Sequence, residues 1–250
     1  MLAVPSPITG ALAAIGREAV RIVLPSWCVV CGDELPWRTR KMSCCIGCWS
    51  ELPKIETVRC RSCALPRSGA VQDEFTCIDC LNDPLPVDWC EAWGRYSGGL
   101  ERLLHALKFE RQEFLAKPLS ELLEERLLER DDLAFDIIAA IPMHPAKERS
   151  RGYNQAALIA GALSRRIAIP FHRTLLRKNA ERETQSTLSR AARVANVRGV
   201  FSATTQTKDS SILLVDDICT TGETLRAAAQ VLLRSGAKRV CAITVAKASK

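Results

Sequence analysis

Four Cys-x-x-Cys pairs follow one another near the start of this chain: Cys28/Cys31, Cys45/Cys48, Cys60/Cys63 and Cys77/Cys80. Thirteen residues separate the first pair from the second, and thirteen separate the third from the fourth. The block is therefore an internal repeat, with Pro36 and Pro66 trailing the leading pair of each half. Two residues between thiols let both sulfurs face one side of a tight turn, the reach that a tetrahedral metal with bonds of about 2.3 Å requires. Two pairs per half close a four-sulfur site without an open coordination position. The expected metals, two structural Zn2+ ions, thus fold the block rather than do chemistry. A redox dithiol relay or disulfides are the competing uses. Cys44 competes with Cys45, and the two-residue spacing favours Cys45. Spacing leaves open whether neighbouring pairs share a metal or the four pairs cross-brace. Cys90, Cys219 and Cys241 lack partners at ligand spacing and are expected to be buried apolar thiols.

A block this dense belongs either to an exported disulfide scaffold or to a reduced metal site. No basic residue precedes Arg17, and the apolar stretch 8–15 is short and broken by Gly10, so neither a signal peptide nor membrane insertion is expected. Ile8, Leu12, Ile15, Ile22 and Val23 recur at helical spacing. Residues 1–25 read as an amphipathic helix packed on the protein, with a membrane-surface helix as the alternative. The expected location is the cytoplasm, with reduced thiols.

The 250 residues are 47% apolar, enough for a sizeable core in one large or two modest domains. The formal net charge of +7 is local. Residues 141–200 hold twelve bases, among them Arg149, Arg151, Lys178, Arg190 and Arg193, against three acids. That concentration suits a polyanion, either a pyrophosphate or a nucleic-acid backbone; a solvated surface is the plainer reading. All five tryptophans (Trp27, Trp37, Trp49, Trp89, Trp93) lie in or beside the cysteine block. They could stack on single-stranded nucleic acid. However, residues 26–89 carry seven bases and nine acids, and tryptophan also fills the thin core of small metal domains.

From about Glu91 the pattern changes to apolar strands alternating with amphipathic helices. Strands are expected at 136–141, 211–215 and 240–246, and helices at 155–166 and 225–234, with a further helix at 115–128 whose polar face is acidic. That alternation implies a parallel sheet covered on both faces. The stretch 212–224, ILLVDDICTTGET, delivers Asp216 and Asp217 to the end of a buried strand, and a turn rich in hydroxyls then opens a helix. Ligands of open α/β sheets bind at that edge, where backbone N–H groups and the helix dipole seat an anion. Adjacent carboxylates can accept hydrogen bonds from vicinal hydroxyls, so a ligand with a phosphate and a ribose diol would satisfy both ends. A helix N-cap needs only one such residue. A receiver-type acidic pocket needs several βα units after the aspartates, and a P-loop needs its Gly-Lys-Ser/Thr, which is missing here.

That stretch resembles the phosphoribosyl pyrophosphate (PRPP) loop of type I phosphoribosyltransferases. The chain as a whole resembles the ComF family, proteins that join a double zinc ribbon to a phosphoribosyltransferase domain. The likeness is carried, in order, by the eight-cysteine block with Cys48-Trp49 and Leu52-Pro53, then Trp93 to Tyr96, Leu107-Lys108, Pro142-Met143-His144-Pro145, the RSRGYNQ stretch 149–155, Thr184-Gln185, Arg190, Asn196 and Phe201.

The resemblance implies an α/β chain, a parallel-sheet type I phosphoribosyltransferase fold over 91–250 preceded by a small double zinc ribbon domain over 26–90. It implies that Asp216 and Asp217 hold the ribose hydroxyls, and that Thr220, Thr221, Gly222, Glu223 and Thr224 cradle the 5′-phosphate. Met143 and His144 would lie where a pyrophosphate loop leaves the first strand, a place where related folds use a strained peptide. Arg149, Arg151 and Lys178 would lie on the pyrophosphate and Mg2+ side, and 178–198 would be a basic loop able to close over the ligand. The chemistry implied is displacement of pyrophosphate at ribose C1 by an unassigned acceptor, linked to DNA uptake and competence or to nucleotide salvage. Glutaminase-dependent amidotransfer needs an N-terminal cysteine, and the chain begins Met1-Leu2, so that activity is not expected. The implied partners are PRPP, single-stranded DNA (through Arg190 and Arg193) and the DNA-uptake machinery. The alternative is a non-catalytic protein that uses the phosphoribosyltransferase domain as a ligand sensor or scaffold in processing single-stranded DNA.

Overall fold

The computed structural model describes residues 27–35, 43–56, 58–67, 75–179, 200–204 and 207–248. The helix expected at 1–25, Trp37, Arg190, Arg193 and nearly all of the basic loop 178–198 lie outside the described residues. The chain falls into two compact units, Met1–Leu52 and Pro53–Lys250. The division therefore lies inside the segment 26–90 expected as one zinc domain, and the second cysteine half shares a unit with everything that follows it.

In the first unit, a turn through Gly32 (φ 80°) brings Trp27 into an antiparallel bridge with Glu34. A one-turn helix, α1 (Ile46–Ser50), carries Cys48. Among the unit's described residues, Cys28, Leu35, Cys44 and Leu52 are buried.

The second unit opens with the matching cysteine half, which carries α2 (Ile78–Asn82). It continues through β1 (Cys90–Arg95), α3 (Gly98–Phe109), α4 (Ala116–Leu127), β2 (Ile137–Ala140), α5 (Pro145–Arg151) and α6 (Gln155–Ile167). It ends with β3 (Leu176–Lys178), β4 (Phe201–Ala203), β5 (Ser211–Cys219), α7 (Glu223–Arg234) and β6 (Arg239–Lys247). Four strands form a parallel sheet in the order β1-β6-β5-β2, and β3 pairs antiparallel with β4.

The sheet is apolar on both faces, as a parallel sheet between helices must be. On one side Ile137, Ala139, Ile212, Leu214, Val240 and Ala242 form a core with Ala228 and Leu232 of α7 and with Leu176 and Phe201 of the β3/β4 hairpin. α4 and α6 pack against each other and against the sheet strands. Arg126, fully buried in α4, donates to the carbonyls of Ile55 (2.5 Å) and Trp93 (3.0 Å), tying the chain entering the unit to β1. The helix expected to present an acidic polar face thus also buries a base. Its neighbours Glu125 and Glu129 reach Lys54 at 2.5 and 3.3 Å.

Two of the tryptophans are structural. Trp89 and Trp93 are buried, and their indole N–H groups donate to Asp132 (2.8 Å) and Glu125 (3.0 Å). The basic run disperses as well: Arg166 pairs with Glu121 and Glu124 of α4, and Arg173 with Glu148.

Candidate functional site

The cysteines sort into two tetrads, Cys28/Cys31/Cys45/Cys48 and Cys60/Cys63/Cys77/Cys80, each with its sulfurs within 4.8 Å of one another. Neighbouring pairs share a site, and no cross-bracing occurs. Cys45 rather than Cys44 enters the first tetrad; Cys44 is fully buried, and burial pushes its thiol up to about 12. A tetrahedron with metal–sulfur bonds of about 2.3 Å has edges near ~3.8 Å, and Cys31–Cys45 and Cys63–Cys77 lie 3.8 and 3.7 Å apart. Backbone N–H groups of Cys45 and Cys77 point at the Cys28 and Cys60 sulfurs from 3.4 and 3.3 Å, which favours thiolate over thiol. The donor set and its spacing fit two structural zinc ions.

At the C-terminal edge of the sheet, β5 carries Asp216 and Asp217 into a largely buried position, 9% and 4% exposed. The backbone N–H of Asp217 donates to Asp216 Oδ1 at 2.9 Å. Burial, reinforced by the neighbouring Asp217 charge, raises the Asp216 carboxyl well above the usual carboxylate range. Lys108, from the end of α3, places its ammonium 2.5 Å from Asp217 Oδ2. That oxygen nevertheless lacks a hydrogen bond of acceptable geometry. Adjacent carboxyl groups can accept hydrogen bonds from the two hydroxyls of a vicinal diol.

The turn after β5 exposes Thr220, Thr221 and Thr224. Gly222 takes the left-handed conformation (φ 82°) and caps α7. Thr221 Oγ1 accepts from Glu223 N at 3.4 Å. Lys247, buried at the end of β6, donates to the Thr220 carbonyl at 2.5 Å and approaches Cys219 Sγ at 3.5 Å. Cys219 also lies against Cys90, whose hydrogen bond, with Lys247 behind it, lowers the Cys219 thiol to about 7. Cys90, Cys219 and Cys241 are all buried, as expected. Two of them have polar neighbours all the same, since Arg239 lies 3.1 Å from Cys241 Sγ.

The adjacent strand β2 leads into Pro142, Met143 and His144. The backbone of His144 is ordinary and extended (φ −60°, ψ 136°), and its Nδ1 accepts from Ala146 N at 3.2 Å to cap α5. No strained peptide is present there among the described residues. Asn154 accepts from the N–H groups of Ala156 and Ala157 at the start of α6 and donates to the Ile141 carbonyl at 2.9 Å, fixing where this loop returns. A cavity of about 370 Å³ opens beside it, lined by Met143, Glu148, Arg173, Arg177 and Lys178 among others. Met143 and Lys178 line the same cavity, whereas Asp216, Asp217 and the turn are not among its lining residues. Arg151 turns away to bond Gln155 at 2.6 Å and cover the Phe109 ring, and Arg149 is exposed. Lys108 and Lys247 are site residues that the sequence does not indicate: Leu107-Lys108 belongs to the family pattern without an assigned role, Lys247 has no local signal, and the partners of both lie in or just after β5.

A double zinc ribbon domain model matches residues 19–81, and a phosphoribosyl transferase domain model matches 154–250. The chain is 29% identical to the DNA utilization protein YhgH of Escherichia coli K12, over 88% of this chain and 96% of that one. It is 26% identical to the competence protein ComFC of Bacillus subtilis, over 84% and 89%. Among solved structures, glutamine PRPP amidotransferase of B. subtilis aligns with 56% of this chain and 30% of its own length, at 20% identity and a TM-score of 0.40.

Proposed function

This chain belongs to the ComF family, joining a double zinc ribbon to a phosphoribosyltransferase domain, and on that premise we infer that it binds PRPP and works in DNA utilization or competence. The observation that carries the reading is the buried Asp216/Asp217 pair at the end of β5, followed by the exposed threonine turn that opens α7. The turn's N–H groups and hydroxyls from Thr220 to Thr224 seat the 5′-phosphate. Asp216 and Asp217 hold the ribose hydroxyls, and a hydroxyl donated to Asp217 Oδ2 supplies the hydrogen bond that this atom lacks. Met143, His144 and Lys178 face the pyrophosphate, with Arg149 and Arg151 following on α5. Mg2+, entering with the ligand, would offset the charge of the pyrophosphate leaving group. Displacement at ribose C1 needs charge stabilisation of the leaving group and positioning rather than a protein nucleophile.

The relatives' names, a DNA utilization protein and a competence protein, support DNA as a partner, and single-stranded DNA and the DNA-uptake machinery are the partners proposed. Arg190 and Arg193 are the residues proposed to face DNA. Sulfur ligands that must stay reduced support a cytoplasmic location. Among the described residues no helix is long and apolar enough to cross a membrane. The test is complementation: in a host deleted for this chain, the parent gene should restore DNA utilization or transformation, and Asp216→Asn/Asp217→Asn should fail at equal protein level. Full complementation by that variant would overturn the assignment of the acid pair to function.

A further inference from the structure

The turn that opens α7 is held from outside by the second cysteine half, at three successive points. Before it, Cys219 Sγ donates to the Cys63 carbonyl at 3.8 Å. At its apex, Leu85 lies so close to Gly222 that a Cβ there would sit 3.1 Å from Leu85 Cδ1. After it, Arg226 on the first turns of α7 donates to the carbonyls of Pro84 (2.7 Å) and Asp83 (2.8 Å) and pairs with the Asp83 carboxylate at 3.1 Å. Leu85 is itself 5% exposed and belongs to the small core made by Cys60, Cys63, Cys77 and Cys80. The segment that touches the turn is thus continuous with the packing around the four sulfurs, three residues beyond the end of α2.

We propose that the second cysteine tetrad is a positioning element of the anion-binding turn, with Leu85 and Arg226 as the residues that carry its position to Gly222 and the start of α7. The physical reason is local. A turn of exposed threonines has little packing of its own, so the geometry of its N–H groups is set by what lies behind it. On this side that support is a wall whose own order comes from four sulfurs brought to one point. Loss of metal from this tetrad then loosens the turn, and binding at the turn becomes dependent on zinc occupancy at a site that touches no ligand. The consequence for PRPP rests on the function proposed above; the positioning itself does not.

The experiment is hydrogen exchange across residues 219–226 in the zinc-loaded full chain, for the parent, Leu85→Ala and Arg226→Lys, with zinc content and PRPP affinity measured on the same samples. Arg226→Lys keeps the charge and the fold but cannot fork across two carbonyls. Expected are exchange in the turn faster by roughly tenfold in each variant, unchanged exchange in β2 and β6, an unchanged zinc content, and PRPP affinity lower by about tenfold. Turn exchange equal to the parent in Arg226→Lys and in a folded Leu85→Ala overturns the proposal, even if PRPP binds. Faster turn exchange in a chain whose parent does not bind PRPP upholds the positioning and removes the PRPP reading instead.

Discussion

Cys63→Ser is expected to cost the protein one metal ion and the cooperative unfolding transition of residues 53–250. All four sulfurs of its tetrad are buried, and they share a core with Leu85 and touch the partly buried Phe75 and Val87. Val87 also packs on the main core of the sheet, so the tetrad is built into the unit rather than appended to it. Structural zinc contributes an apparent ~10–16 kcal/mol in small finger peptides at neutral pH, comparable to or larger than the ~5–15 kcal/mol net stability of a whole domain. Elemental analysis should show zinc falling from two to one per chain, one for each tetrad. Near-ultraviolet circular dichroism should lose the signals of Trp89 and Trp93. A variant that keeps both metals and melts with the parent would contradict the tetrad assignment.

Lys108→Met is expected to lower stability by about 3 kcal/mol, because it strips the counter-charge from Asp217, whose side chain is 5% exposed. The cost is high because Asp217 is buried, and a buried charge left without its partner loses water without gaining a counter-ion. Lys108→Met/Asp217→Asn removes both charges and should recover most of the loss. Urea melts of the four proteins in the cycle give the coupling directly. A coupling near zero would mean that the ion pair does not form in solution.

Those two expectations differ in how visible their residues were beforehand. The tetrads were legible because a thirteen-residue repeat of paired thiols suits little besides metal coordination, and the acid pair because strand, carboxylates, threonines and glycine are contiguous. β5, β6, α6 and α7 emerged from periodicity alone; β5 only runs on through Asp216 to Cys219, beyond the expected 211–215. β1 did not emerge, since Cys90–Arg95 follows the cysteine block directly and CEAWGR mixes charge and aromatics. Its place is fixed by partners in β6, more than 140 residues away, such as Ala242 opposite Cys90. The β3/β4 hairpin is three residues a side and falls below any periodic signal. Lys108 meets Asp217, Lys247 meets Thr220, and Leu85 meets Gly222 only because the sheet and the second cysteine half bring distant segments together. Spacing favours Cys45 over Cys44 but leaves the pairing of the thiols open; sulfur geometry settles the pairing and keeps Cys45.

Isothermal titration of PRPP with Mg2+ into the zinc-loaded full chain reads out whether the β5 acid pair and the turn after it form a PRPP site. One site per chain is expected, with binding by Asp216→Asn/Asp217→Asn weakened by at least about a hundredfold, a loss of ~2.7 kcal/mol. Absence of binding heat from the parent at two temperatures, or equal affinity in parent and variant, would contradict it.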